Sequence, residues 1–126
     1  MEWGKYLKDS EKQTAERTVD VLLAAGYSLA VFDGEEITIS RSTDKPAILA
    51  ALGSSYEDHL KVYPMEPRRT AAIGWVRFVW GNEDWVAICD HTTNLEAVLQ
   101  PVFDWMEEQE TAAEFNLLYP KKRGSR

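Results

Sequence analysis

A chain of 126 residues, 44% apolar and with a single cysteine, has the size of one globular domain with one core; an internal disulfide is excluded, which fits a reducing cytosol. Its net charge of −7 argues against direct nucleic-acid binding by the body of the protein and against an anionic membrane surface. No apolar run reaches the roughly 18 residues of a membrane span, and residues 1–5 lack the apolar stretch of a secretory signal, so a cytoplasmic protein with no membrane partner is expected.

The first helix is expected over residues 11–25. Ser10 followed by Gln13 resembles a capping box, Ala15, Val19, Leu22 and Leu23 share a face at helical spacing, and Gly26 supplies a left-handed stop. Residues 1–9 read as a flexible N-terminus. Residues 27–32 and 36–40 read as strands joined at Asp33-Gly34, a strong hairpin signal. A short helix over residues 44–52 follows, with Thr43 as N-cap, Pro46 in the first turn and Gly53 at the end. Residues 60–63 read as a short strand and residues 64–69, with two prolines, as a loop.

Residues 72–80 and 85–90 give the strongest hairpin signal. Trp80 is expected opposite Trp85, Phe78 opposite Ala87, Arg77 opposite Ile88 and Val76 opposite Cys89, which makes Arg77 and Asp90 diagonal neighbours able to pair. Both faces of this hairpin are largely apolar, which predicts a central place in the sheet. The last helix opens at Thr93, where Thr93-Asn94-Leu95-Glu96 has the capping-box pattern. Leu95, Val98, Leu99, Val102 and Met106 form its buried stripe, Pro101 kinks it, and it is expected to fray over residues 110–115. The order α-β-β-α-β-β-β-α, with about five antiparallel strands and three helices, predicts a single α+β domain over residues 10–115. Residues 116–126 read as a flexible basic tail.

Charge is distributed unevenly. Residues 78–120 hold nine acidic residues and no lysine or arginine, where an even spread would place about five basic residues. The last six residues hold four of the 14 basic groups, which leaves residues 1–120 with a net charge of −11. At 100° per residue, Glu96, Asp104, Glu107, Glu110 and Glu114 fall on about 120° of the last helix, and Glu83 and Asp84 sit at the hairpin tip. Glu107, Glu110 and Glu114 repel one another at i+3 and i+4, at a few tenths of a kcal/mol per pair. A basic partner meeting this face would relieve that repulsion. DNA presents a comparable line of negative charge.

Catalytic signals are absent. Cys89-Asp90-His91 is the one cluster resembling a nucleophile site, yet residues two apart on a strand lie about 6.6 Å from each other, too far for a thiolate–imidazole pair. Cys89 is expected to be buried and structural. His59 beside Asp58 is unspecific, and Cys89, His91 and His59 lack metal-ligand spacing. Gly81-Asn82 is a turn without the residues of a phosphate loop. No cofactor, metal or catalytic residue is expected. Trp75, Trp80, Trp85 and Trp105 read as core or cross-strand residues, with Trp80 and Trp85 placed to flank the acidic tip.

Gly74-Trp75, Gly81-Asn82, Asp90 and Thr92-Thr93-Asn94-Leu95-Glu96, together with Gly26-Tyr27, Phe32-Asp33-Gly34-Glu35-Glu36 and Ser42-Thr43-Asp44, resemble a group of short bacteriophage and prophage proteins over roughly residues 20–105. His91 stands where that pattern has an aromatic residue. The shared motifs are turns and caps, and the family transfers no catalytic residue. The resemblance implies a phage or mobile-element accessory protein in a bacterial cytoplasm. With the charge pattern, it leads to the expectation of a non-enzymatic binding protein. Its partner would be a basic bacterial protein or nucleoprotein complex, and its most concrete role inhibition of a CRISPR or restriction complex by nucleic-acid mimicry. Glu83, Asp84, Glu96, Asp104, Glu107, Glu110 and Glu114 are the candidate contact residues. The competing expectation is a phage structural or assembly protein acting as a homodimer.

Overall fold

The computed structural model describes residues 4, 7–53, 56–65, 70–81 and 87–118. Three helices, α1 (Asp9–Ala24), α2 (Lys45–Ala51) and α3 (Glu96–Leu118), accompany five strands, β1 (Tyr27–Phe32), β2 (Ile37–Ser42), β3 (Glu57–Pro64), β4 (Gly74–Val79) and β5 (Ile88–His91). The strands form one antiparallel sheet in the order β2-β1-β3-β4-β5. The α+β domain and its element order are those expected.

Strand alternation sorts side chains onto two faces. Leu29, Val31, Leu60, Val62, Val76 and Phe78 point to one face and are fully buried. Ala15, Val19 and Leu22 of α1, Ile48 and Leu49 of α2, and Leu99 and Val102 of α3 close over it as a single core. Burying a side chain such as Phe78 contributes roughly 1.5–3 kcal/mol. On the other face Ser28 and Ala30 are buried, while Phe32, His59, Lys61, Tyr63, Trp75 and Arg77 are half-exposed.

Several local expectations shift. α1 starts at Asp9 because Glu11, not Ser10 and Gln13, supplies the cap: its Oε1 accepts from the Lys8 amide at 2.9 Å. Its Oε2 accepts from the Gly81 amide at 2.6 Å, tying the helix start to the end of β4. Leu7, inside the stretch read as flexible, packs against the core. Asp33 Oδ1 accepts from the Glu35 and Glu36 amides, both at 2.9 Å, and Gly34 has φ +102°, so the Asp33-Gly34 turn forms as expected. The N-cap of α2 is Asp44 rather than Thr43, with the Asp44 amide donating to Ser42 Oγ at 3.0 Å. β3 is twice the expected length and keeps Pro64 as its last residue, paired with Tyr27.

The β4–β5 pairing is corrected most. Phe78 pairs with Ile88, Arg77 with Asp90 and Val76 with His91. The register is displaced from the expected one, and Cys89 is the extra residue of a bulge. A strand apolar on both faces has no alternation to pin its register, and bulges favour sheet edges. β5 is an edge strand and β3 is central. The Trp80–Trp85 pairing falls partly outside the described residues. Before α3, a 3-10 turn spans Thr93–Leu95 with Thr92 as N-cap and no side-chain cap. Thr92 Oγ1 instead accepts from the Trp75 amide at 3.2 Å.

Candidate functional site

Leu95, Leu99 and Val102 anchor α3 in the core, with Val98, Phe103 and Met106 packed at its margin. His91 packs on Phe103 with centroids 5.0 Å apart, and Arg17 of α1 lies 4.4 Å above the Trp105 ring. These contacts fix the rotation of α3. Glu96, Asp104, Glu107, Glu110 and Glu114 all turn to solvent. From Glu96 to Glu114 the row runs about 27 Å. Asp104 accepts from Gln100 Nε2 at 2.9 Å, and no lysine or arginine pairs with these carboxylates among the described residues. Glu83 and Asp84 lie outside the described residues.

The helix outruns the body. Leu99 and Leu117 are 18 residues apart, five full turns, and so point the same way; Leu99 is 0% exposed and Leu117 is 80% exposed. Every residue from 111 to 118 is exposed, and the helix continues to Leu118 where fraying was expected. Phe115, 58% exposed, falls on the acidic side at 100° spacing, between the directions of Asp104 and Glu108. Asp104, Glu107, Glu108, Thr111, Ala112, Phe115 and Asn116 share one exposed strip of the helix. Glu108 and Phe115 therefore belong to the site, although the charge pattern alone singled out neither. The usable signal was the width of the exposed arc, which exceeds 120° because the buried stripe is narrow.

The remaining sequence candidates separate. Cys89 is exposed in its bulge rather than buried. His91 turns to Phe103, so the two do not form a nucleophile pair. Arg77 makes its ion pair with Glu57, at 2.8 and 3.1 Å, and not with Asp90. The Arg77 hydrogen bonds hold the Glu57 carboxyl below its ordinary pKa. Asp90 Oδ1 accepts from the His91 amide at 2.9 Å. Trp80 is buried and stacked on Phe78 at 4.9 Å, in line with its reading as a core residue. Among the described residues no group of three histidine, cysteine or carboxylate side chains is placed to hold a metal ion, and no helix is long and apolar enough to cross a membrane.

Comparison with protein-family models, curated proteins and solved structures finds no match. The functional argument rests on the chain's own residues.

Proposed function

We propose that the chain is a non-enzymatic binding protein that docks the projecting half of α3 onto a basic protein surface. The observation that carries this reading is the exposure of the whole end of the helix, where Phe115 stands among Asp104, Glu107, Glu108 and Glu114. An aromatic side chain within a charged rim is the composition of a protein interface. From Asp104 to Glu114 the carboxylates repeat every three or four residues, about 4.5–6 Å along the axis, a line of negative charge sparser than the phosphates of duplex DNA at about 3.4 Å per strand. Basic grooves that bind nucleic acid match that chemistry. CRISPR and restriction complexes of a bacterial host are the concrete partners proposed, with the chain as a phage or mobile-element inhibitor in the host cytoplasm.

The test is displacement of duplex DNA from purified CRISPR effector and restriction complexes, read by gel shift at low and physiological salt. The wild-type chain is expected to displace DNA. A Glu107→Gln, Glu110→Gln, Glu114→Gln variant should fold normally and lose that ability, most visibly at low salt. Phe115→Ala should weaken binding by about tenfold or more, the scale of an interface hot spot, through faster dissociation and with little change in salt dependence. Equal competition by wild type and triple variant at low salt would refute the reading. A salt-insensitive dimer in light scattering, with no displacement, would favour the homodimeric assembly protein instead.

A further inference from the structure

The outward face of the sheet carries a different chemistry from α3. Alternate residues of three adjacent strands bring Phe32, His59, Lys61, Tyr63, Trp75 and Arg77 onto it. Phe32 pairs with His59, His59 with Arg77, and Lys61 with Trp75. The His59 ring lies 6.0 Å from Phe32 and 5.8 Å from Trp75. Its Nδ1 is 3.9 Å from Glu57 Oε2, too long for a hydrogen bond, so ring contacts rather than polar ones hold it. Lys61 Nζ stands 5.1 Å over Phe32, and the Arg41 guanidinium 4.8 Å over Tyr63. All six outward residues keep part of their surface in solvent.

Charge on this face is ordered. Glu57 is engaged by Arg77, while Asp90 lies opposite Arg77 in register and Asp33 and Glu35 gather beside Glu57, so that end of the sheet is net acidic. Lys61 lies four residues further along β3, about 13 Å away, where Arg41 and Tyr63 also gather. The acidic row of α3 belongs to the helical layer on the opposite side. Its carboxylates stand off by at least a helix diameter of about 10 Å, beyond the Debye length of about 8 Å at physiological salt. The acidic total is therefore not what the Lys61 and Arg41 end of this face presents.

We propose that the outward face of the sheet binds single-stranded nucleic acid. Bases stack on Trp75 and His59, and Lys61 and Arg41 meet the phosphates. Planar rings on adjacent strands flanked by cations are what unpaired bases require, because each base offers a ring face and each nucleotide one negative charge. A duplex hides its base faces and gains only the phosphate contacts. This inference does not depend on the docking role of α3.

The experiment is fluorescence anisotropy of labelled oligothymidylate and oligouridylate of about 12 nucleotides, within the site sizes of stacking platforms, against a duplex of equal length. The full chain should bind the single strands at low salt and the duplex at least about tenfold more weakly. Trp75→Ala should weaken single-strand binding by about 5- to 100-fold, the range for one stacked base. Lys61→Gln should weaken it and reduce the salt slope by about one. His59→Ala is the second stacking variant should Trp75→Ala fail to fold by circular dichroism. The triple glutamine variant of α3 should bind oligonucleotide as well as wild type or better, which separates failure here from failure of the docking role. Absence of single-strand binding, equal binding of duplex, or unchanged affinity in folded Trp75→Ala or His59→Ala would overturn the proposal. So would a dimer abolished by Lys61→Gln, which would assign the face to a second copy.

Discussion

At Asp58 a carboxylate sits on the core face of β3, 0% exposed. Oδ2 accepts from Trp80 Nε1 at 2.8 Å and from the Gly53 amide at 2.9 Å, while Oδ1 has no hydrogen-bond partner. Burial raises its pKa, only partly offset by those two bonds. An acid whose pKa rises on folding binds its proton more tightly in the native state. Its penalty is absent below the unfolded value of about 3.9 and complete above the folded value, so stability falls as pH climbs between them. Asp58→Asn keeps an acceptor for both donors and buries no charge. Its stability relative to wild type should improve from pH 4 to pH 7, measured by urea midpoints. The pairing with wild type matters because Glu57 and Asp33, whose pKa values are lowered, act in the opposite direction: their contribution is present at neutral pH and lost on acidification. Asp58→Ala strands the Trp80 and Gly53 donors and should cost about 2–4 kcal/mol. The same residue explains why β3 was read too short, since a polar side chain at a core position interrupts the apolar alternation on which strand recognition depends. Gly74 was legible as a motif but not as a constraint. A Cβ there would meet Thr92 Oγ1, Leu95 Cδ1 and Asn94 Oδ1, and Gly74→Ala should lower stability by about 1–3 kcal/mol.

Among the elements, α3 shows which local forces decide. Fraying was expected over residues 110–115, yet even the repulsion among Glu107, Glu110 and Glu114 costs only a few tenths of a kcal/mol per pair. Ala112, Ala113, Leu117 and Leu118 are strong helix formers, and the helix runs on. Stability and recognition should therefore separate in Glu110→Lys. The new pairs with Glu107 and Glu114 should leave thermal stability equal or raise it by up to about 0.5 kcal/mol, while displacement of DNA from the basic partner falls. If both move together, packing and not charge governs the site. The buried stripe of α3 and the turn at Asp33-Gly34 could be read from spacing and turn chemistry. The bulge at Cys89 and the exposed Phe115 could not. The first depends on tertiary pairing between two apolar strands, and the second on where the body ends beneath the helix.

For the whole molecule, Glu11 joins what the chain keeps far apart. One carboxylate satisfies the amides of Lys8 and Gly81, the latter 70 positions away. Its exposure of only 3% makes both bonds matter, because an unpaired buried donor costs about 1–3 kcal/mol. Glu11→Ala should lower stability by about 2–4 kcal/mol, a Tm decrease on the order of 10 °C. Unfolding should stay a single transition by fluorescence and circular dichroism, because the bond links elements of one core. Composition conveyed the acidic total but not its arrangement, with carboxylates along α3 and the cations Lys61 and Arg41 gathered at one end of the far side of the sheet. That arrangement arises only when the fold assigns alternate strand residues to opposite faces.

Cys89, the sole thiol of the chain, stands exposed on a bulged edge strand beside Asp90, the register partner of Arg77. It thereby offers a ready attachment point for a dye or spin label without any engineered substitution. Placed at the margin of the sheet and away from the free end of α3, such a reporter should respond to a ligand spreading over the strands and stay silent when a partner grips the helix. The two surfaces of this small protein can then be monitored separately in one labelled sample.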